Sequence, residues 1–226
     1  MKPTIEQARR VVERLAREHN LNIIGPNTLA VVREAFLLAF AAHSGQKYTD
    51  VRSRVALYIP RIVDSITSLL PEAVREYIGR SAIYLSDVVW VDPVLLLGVV
   101  SHEIGHSNRD DVNSDFVAST LWAAAYLVHD LAKGYEEASC MINDLVISVV
   151  VGGVSPGEAR DRIVAGMASY RLNAKTMRAI NRMLTSAAAS LAKHQLPGVK
   201  TPAQRTLQLL VEEGWDPGPW RAAIAA

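Results

Sequence analysis

The sequence has only one cysteine among its 226 residues, so no disulfide can form within a single chain. A lone cysteine favours a reducing compartment, where thiols persist. No apolar run approaches the roughly 20 residues that span a bilayer, and residues 1–20 lack the continuous apolar segment of a secretory signal. These absences predict a cytoplasmic protein with no membrane span.

A strong net charge is also missing from the chain. Lys and Arg number 24 and Asp and Glu number 23, which gives a formal net charge of +1. A chain without a basic excess lacks the electrostatic footprint of a nucleic-acid-binding protein. The charges are nevertheless segregated, because residues 81–154 carry ten acidic and two basic side chains. An acidic segment of this kind suits a bound cation or a basic substrate.

Apolar residues recur every three or four positions along most of the chain, which predicts a mainly α-helical protein. The exception is SAIYLSDVVWV, residues 81–91, whose β-branched and aromatic side chains favour a strand or a short hairpin that turns at Ser86 and Asp87. We expect one compact unit made of an N-terminal helical region (residues 1–80), a central core (81–154) and a C-terminal helical region (155–226). The predicted helices span residues 4–18, 28–43, 50–70 with a kink at Pro60, 71–79, 93–106, 112–132, 135–150, 156–171, 174–193 and 202–213, and residues 214–220 are expected to be irregular.

The segment HEIGH places His102, Glu103 and His106 in a predicted helix whose other residues suit a buried environment. Unpaired polar groups are costly in a core, so these residues require a partner. On a helix the two histidines project from one face and can bind one cation, while the glutamate lies about 100° round the helix, within reach of a water on that cation. The H-E-x-x-H spacing therefore predicts a zinc centre with Glu103 as general base.

Two other interpretations of this segment need no zinc. The histidines could be core residues whose ring nitrogens bond backbone carbonyls, with Glu103 paired to Arg109 or exposed to solvent. Glu103 and His106 could also be the E-x-x-H half of a di-iron bundle. Such a bundle needs a second E-x-x-H on another helix, and the sequence has none.

A catalytic zinc needs a third protein ligand and an open position for water. A metzincin would continue with a glycine and a third histidine, where this chain has Arg109 and Val112. The strongest candidates are Glu136 and Glu137 in the segment GYEEASCMINDLVIS, about 30 residues after His106. On a helical wheel Glu137 borders the apolar stripe and Glu136 points away from it. Glu137 is therefore the expected ligand and Glu136 the alternative.

Other residues near these positions have candidate roles. Asp144 follows Glu137 by two helical turns and can orient a histidine ligand from outside the coordination sphere. Asp115 and His129 are further possible donors. The pair of glutamates also has a plainer interpretation, as a solvated helix start where acidic side chains favour the helix dipole.

The segments HEIGH and EEASCMINDL together resemble the gluzincins, metallopeptidases whose third zinc ligand is a glutamate on a later helix. The resemblance covers about residues 81–150 and is to the M48-like and ImmA/IrrE-like peptidases, whose second helix follows the pattern E-A-N/D-x-F-A-x-x-L. Here Ser139 replaces the Asn or Asp, and Met141 replaces the aromatic residue. The resemblance implies a zincin-like core with a small sheet or hairpin before the active-site helix, flanked by helices.

The resemblance also implies a zinc metalloendopeptidase in which the two histidines of HEIGH and Glu137 bind Zn²⁺ and the glutamate of HEIGH activates water. Such enzymes offer a Tyr or His to the oxyanion, and the candidates are Tyr135, Tyr84 and His129. The strand before the active-site helix commonly docks extended substrate, which gives residues 82–90 that role unless they form an ordinary edge strand. The expected partner is a protein or peptide substrate.

Other function classes stay open at this point. Small gluzincins without a signal and with unfamiliar helical flanks resemble those that bacteriophages encode, which makes a virion-associated location an alternative to the cytoplasm. A structural or virion protein could use zinc only to fasten helices together, and a regulatory protease could dock a transcription factor on its flanks. An intact Glu103 favours catalysis, because a structural zinc site does not need it. The oligomeric state has no signal in the sequence.

Overall fold

The computed structural model describes residues 1–44, 47–52, 56–59, 81–112, 129–170, 172–198 and 201–226. Over these residues the chain is mainly α-helical, as predicted, and contains a three-stranded sheet of which only the strand near residues 82–85 was predicted. In chain order the elements are α1 (Ile5–Glu18), β1 (Asn22–Ile24), α2 (Ala30–Ser44), α3 (Tyr48–Arg52), β2 (Ala56–Ile59), β3 (Ala82–Leu85), a 3-10 helix (Asp87–Val91), α4 (Pro93–Val112), α5 (Asp130–Val150), α6 (Pro156–Gly166), a 3-10 helix (Met167–Tyr170), α7 (Ala174–Leu191), α8 (Pro202–Glu212), a 3-10 helix (Gly218–Trp220) and α9 (Arg221–Ala225).

The N-terminal helix α1 begins at a capping box and buries one face in the core. Thr4 Oγ1 accepts a hydrogen bond from the Gln7 backbone N–H, and the Gln7 side chain accepts one from the Thr4 N–H. These bonds satisfy donors that the start of a helix otherwise leaves without intrahelical partners. The apolar face of α1 packs against α4 and α8. Its buried residues are Ala8, Val11, Val12, Leu15 and Ala16.

The sheet has the strand order β1-β3-β2, with β1 parallel to β3 and β2 antiparallel to it. All four residues of β3 are buried. Because β3 pairs with a strand on each side, both of its backbone edges are already used inside the sheet. The predictions that this segment docks an extended peptide, or forms an edge strand, are therefore wrong for residues 82–85.

The predicted hairpin turn after Ser86 is also wrong, since the chain enters a 3-10 helix over residues 87–91. The Val89 N–H donates to the Ser86 carbonyl, the spacing of a 3-10 turn. Val89 is buried whereas Val88 and Val91 are exposed. This repeat of three residues differs from the alternation of a strand and explains why β-branched residues form no second strand here.

The helix predicted over residues 50–70 is wrong in part, because Ala56–Ile59 forms β2 and pairs with β3. Pairing with a distant strand overrides the local apolar pattern, as is common for β-structure. The predicted kink at Pro60 and the predicted helix over residues 71–79 lie outside the described residues.

Helix α4 carries the HEIGH segment and begins as predicted. Asp92 Oδ1 accepts hydrogen bonds from the N–H groups of Val94 and Leu95 at 2.8 and 3.1 Å. Pro93 occupies the first helical position, where its missing N–H costs no hydrogen bond. This cap fixes the start of α4, ten residues before the first histidine of the motif. Its fully buried apolar residues are Leu96, Leu97, Val100 and Ile104.

Helix α5 runs without a break from Asp130 to Val150, so the predicted separation of two helices near Gly134 is wrong. Gly134 marks a close approach to α7, because a Cβ there would lie 2.3 Å from Thr176 Cγ2. The glycine is therefore a packing requirement and not a helix end. Residues 113–128, which belong to the preceding predicted helix, lie outside the described residues.

The C-terminal helices α6, α7 and α8 begin at the predicted residues 156, 174 and 202, and they differ from the prediction at their ends. Ser155, Asn173 and Thr201 each accept the backbone N–H of the third residue after them. Residues 167–170 form a 3-10 helix instead of continuing α6, and the tail expected to be irregular contains a 3-10 helix at residues 218–220.

One hydrophobic core joins the three predicted regions of the chain. Buried side chains of α1, β3, α4, α5 and α8 belong to a single cluster. Helices α4 and α5 pack directly on each other within it. None of the described helices combines the length and apolarity that crossing a bilayer requires.

Candidate metal centre

His102 and His106 lie together on the face of α4 that meets α5. Their ring centroids are 5.2 Å apart in an edge-on arrangement. Their side chains are 13% and 12% exposed, so both rings are largely enclosed by the protein. The spacing of four residues on a helix places both rings on one side, as the H-E-x-x-H pattern requires.

The carboxylate of Glu137 on α5 lies beside the first histidine. Its Oε2 is 3.7 Å from His102 Nε2. Glu137 is 3% exposed and the preceding Glu136 is fully buried. The interpretation of this pair as a solvated helix start is therefore wrong, because both side chains are enclosed between α5 and its neighbours.

The other nitrogen of each histidine ring faces a second carboxylate. His102 Nδ1 lies 2.7 Å from Asp144 Oδ2, and His106 Nδ1 lies 3.1 Å from Glu136 Oε1. A carboxylate can only accept, so each Nδ1 donates and the lone pair of a neutral ring is left on Nε2. Both histidines are thus held in the tautomer that binds a metal through Nε2.

The helical wheel misplaced Glu136, which it directed away from the apolar stripe. In the structure Glu136 is buried because α4 covers that side of α5 with His106. A wheel built on apolar residues cannot register burial against another polar side chain. Glu136 contacts the Nδ1 atom of His106. Glu137 instead lies beside the Nε2 atom of His102, the ring nitrogen that is free to bind a metal.

The electrostatics of the centre favour positive charge. Burial raises the pKa of Glu103, against the opposing effect of the two histidines. For His102, burial lowers the pKa, but the nearby Asp144 carboxylate outweighs it and holds this pKa well above its usual value. The pKa of His106 is also raised, because its hydrogen bond with Glu136 and the charge of Glu103 outweigh burial. Four carboxylates, two of them buried, lie around the two imidazoles, and such a cluster is stabilised by a bound cation.

Cys140 is a candidate ligand that the sequence analysis missed. Its Sγ and one ring nitrogen each of His102 and His106 all lie within 4.8 Å of one another, so this group could hold a metal ion. Cys140 comes three residues after Glu137 on α5, which places the two on neighbouring parts of one helix face. That spacing was the available signal, whereas the lone cysteine was interpreted only in terms of disulfides.

Gly105 lets the thiol come close to α4. A Cβ at this position would lie 2.9 Å from Cys140 Sγ and 3.3 Å from Asn143 Nδ2. Any side chain larger than hydrogen would therefore meet the thiol. The glycine of HEIGH is thus part of how α4 and α5 pack at the centre.

The candidates for oxyanion stabilisation are spread over the fold. Tyr135 is 44% exposed on α5, one residue before the buried pair of glutamates. Tyr84 is buried in β3, in the cluster formed with residues of α2. His129 is exposed and precedes α5, and Asp115 lies outside the described residues. Among the described residues, His102, His106 and Cys140 are the group that meets the distance requirement for a shared ion.

A cavity of about 800 Å³ adjoins the thiol side of the centre. Gly105 and Cys140 form part of its wall, together with residues of α5 and α7 and the segment that leads into α8. The cavity brings open space to the buried cysteine.

Comparison with protein-family models, with curated proteins and with solved structures found no match for this chain.

Proposed function

We propose that the chain is a zinc-dependent metallopeptidase of the gluzincin type, with a zincin-like core, that hydrolyses a bond in a protein or peptide. The observation that carries this proposal is the position of His102 between two carboxylates. Asp144 lies at Nδ1 and Glu137 lies on the side of Nε2. Metal-binding histidines have this arrangement, with an orienting acceptor on one ring nitrogen and the ion on the other.

The residues present fit a zinc ion. Zinc bonds nitrogen and carboxylate oxygen at about 2.0–2.2 Å in a tetrahedral site, so two such ligand atoms lie about 3.4 Å apart. His102 Nε2 and Glu137 Oε2 are 3.7 Å apart, close to this value. The donors that all lie within 4.8 Å of one another are those of His102, His106 and Cys140, so the Glu137 carboxylate would have to move towards His106 to complete the triad. Imidazole nitrogen suits zinc better than magnesium or calcium, which prefer oxygen ligands. His102, His106 and Glu137 would hold the ion.

Glu103 is the proposed general base. A zinc ion held there would supply a bound water whose pKa is lowered towards about 7 and would polarise the scissile carbonyl. Glu103 would accept the proton of the attacking water and pass it to the leaving nitrogen. In the metal-free protein, burial raises the pKa of this carboxyl.

The proposed substrate is a protein or peptide, and the proposed location is the cytoplasm. Substrate cannot add to β3 by backbone pairing, since β1 and β2 already flank it. The cavity beside Gly105 and Cys140 borders the thiol side of the centre, and the two histidines, Glu103 and Glu137 are not among the residues that line it. Access of substrate from that side would require the Cys140 side chain to move.

The test replaces Glu103 with Gln and measures zinc and hydrolysis in the same preparation. The zinc content of the variant should match that of the wild type, because the ligands are untouched. Cleavage of a mixed set of quenched fluorescent peptides should fall by roughly 10²–10⁴-fold, the usual contribution of a general base. Glu158→Gln on α6 is the matched control, because that glutamate pairs with Arg162 at the surface, and it should retain activity.

Full hydrolysis by the Glu103→Gln variant would remove the residue from the mechanism. If the wild type and the control cleave no peptide while zinc is bound, and Cys140→Ala, which removes the thiol beside the histidines, cleaves none either, the peptidase proposal fails and the metal site survives.

A second candidate function is a structural zinc site that fastens α4 to α5. Cys140 favours it, because a fourth protein donor near the histidines can close the coordination sphere. A closed site leaves no position for water, so this candidate predicts tightly held zinc, a strong loss of stability on chelation and no hydrolysis.

A further inference from the structure

We propose that Cys140 is a fourth ligand of this centre, which in the resting protein occupies the position that a hydrolytic site leaves to water. The inference rests on the proposed function, because it takes the zinc site as given. It adds that the peptidase is latent until the thiolate is displaced.

The geometry of the group supports coordination by sulfur. The donor atoms of His102, His106 and Cys140 all lie within 4.8 Å of one another, and Glu137 adds an oxygen 3.7 Å from His102 Nε2. With a shift of the Glu137 carboxylate towards this group, four protein donors of types N, N, O and S would complete a tetrahedral zinc site. A hydrolytic zinc site has three protein ligands, so one of these four must leave before water can enter.

The packing brings the thiol to the centre. Cys140 is 1% exposed, and Gly105 on α4 provides the space that its sulfur occupies. Sulfur and imidazole donors together select zinc and other borderline or soft cations over magnesium and calcium. The ligand class is therefore a divalent cation such as Zn²⁺, Co²⁺ or Cd²⁺.

The structure also provides a place for the thiol to move. Cys140, Ser139 and Asn143 line one wall of the cavity of about 800 Å³, so a rotation about the Cys140 side chain can carry the sulfur towards open space. The exchange involves no oxidation or reduction. The thiol gives up its proton when it coordinates, and it takes up a proton when water or a substrate oxygen replaces it.

Glu137 is the less exchangeable of the two α5 donors. Both side chains are buried, at 3% exposure for Glu137 and 1% for Cys140, so burial does not distinguish them. Glu137 Oε2 lies against His102 Nε2 and is not among the residues that line the cavity. Cys140, in contrast, borders the cavity. We therefore assign displacement to the cysteine and permanent ligation to the glutamate.

The test uses the full chain loaded with Co²⁺ in place of Zn²⁺. Cobalt bound to thiolate shows a strong near-ultraviolet charge-transfer absorption, and cobalt bound only to nitrogen and oxygen does not. The wild type and a Ser139→Ala control should show this absorption, while Cys140→Ser and Cys140→Ala should bind cobalt without it. Affinity for the ion should fall at least about tenfold in both cysteine variants, since even an outer-shell change costs about 10–100-fold.

Peptide hydrolysis by the zinc-loaded proteins supplies the second readout. Cys140→Ala should cleave peptides faster than the wild type at saturating zinc, because the water position is then open. If the wild type binds cobalt without the thiolate absorption, Cys140 is not a ligand. That result would refute this inference and would not affect the proposed peptidase activity. A thiolate absorption accompanied by no gain of hydrolysis in Cys140→Ala would overturn latency and favour the structural site.

A measurement on the wild type alone covers the case in which the variants fail to fold. X-ray absorption of the zinc protein should show one sulfur at about 2.3 Å from the metal. A first shell of nitrogen and oxygen only would refute the inference. A preparation that binds neither zinc nor cobalt would instead refute the metal site itself.

Discussion

His102 Nδ1 lies 2.7 Å from Asp144 Oδ2, a contact that joins α4 to α5 across 42 residues of sequence. The carboxylate accepts the Nδ1 proton and turns Nε2 towards Glu137. The proposed role of Asp144 is therefore to orient a ligand, and its loss should weaken the centre without removing a donor from it.

Replacement of Asp144 by Asn should lower zinc affinity by about 10–100-fold, because the ring loses its negatively charged acceptor. Competition with a chromophoric chelator measures this change. Asp161→Asn is the control, since Asp161 pairs with Arg160 at the surface and should leave affinity unchanged. An Asp144→Asn protein with wild-type affinity would show that the contact does not tune the ligand.

The two adjacent glutamates of α5 should respond differently to the same change. Glu137→Gln removes a proposed ligand and should cost more zinc affinity than Glu136→Gln, which removes only the acceptor at His106 Nδ1. Parallel titrations of the two variants measure the order. The reverse order would exchange the roles of these neighbours and make Glu136 the third ligand.

Two glycines of α4 allow a paired test of how closely α5 packs against this helix. A Cβ at Gly105 would lie 2.9 Å from Cys140 Sγ, whereas a Cβ at Gly98 would lie 3.6 Å from Asp144 Oδ1, an ordinary contact. Gly105→Ala should destabilise the protein by about 1–3 kcal/mol through overpacking. Gly98→Ala should be neutral or stabilise it by up to about 1 kcal/mol through helix propensity. Urea unfolding measures the change in the free energy of unfolding for each variant. Equal changes would contradict the inference that α5 approaches α4 more closely at Gly105 than at Gly98.

An acid-sensitive ion pair links the end of α1 to α8. Arg205 donates to both carboxylate oxygens of Glu18, at 2.9 and 2.5 Å. These hydrogen bonds outweigh burial and lower the pKa of Glu18 below 4.5 in the folded protein. A lowered folded pKa contributes stability above the unfolded pKa, and that stability is lost as the pH falls through the folded value.

Glu18→Gln should therefore destabilise the metal-free protein at pH 7 by about 0.5 kcal/mol or less, because the pair is partly exposed and screened. The difference should vanish well below pH 4, where the wild-type carboxyl is protonated and resembles the amide. Thermal unfolding of both proteins across this range measures the effect. A difference that persists or grows in acid would contradict the assigned pKa.

Local signals in the sequence were sufficient to locate those helix starts that carry a cap next to a proline. Asp92 with Pro93 and Ser155 with Pro156 mark helix beginnings because a cap acts within a few residues of its own position. The rotation of His102 and His106 onto one face is likewise a property of helix geometry alone.

Features that depend on distant partners were not predictable from local patterns. The strand Ala56–Ile59 exists because β3 pairs with it, and α5 continues through Gly134 because α7 approaches there. The burial of Glu136 and the approach of Cys140 both depend on α4 lying against α5. The sequence contained these residues, but no local pattern indicated which of them would meet.

The zinc content of the protein tests the central claim most directly. Protein purified without added metal should contain close to one zinc per chain by elemental analysis, and His106→Ala should lose most of it while circular dichroism still reports a helical protein. A wild type without zinc, or a His106→Ala variant that retains it in full, would contradict the assignment of His102, His106 and Glu137 to one metal ion.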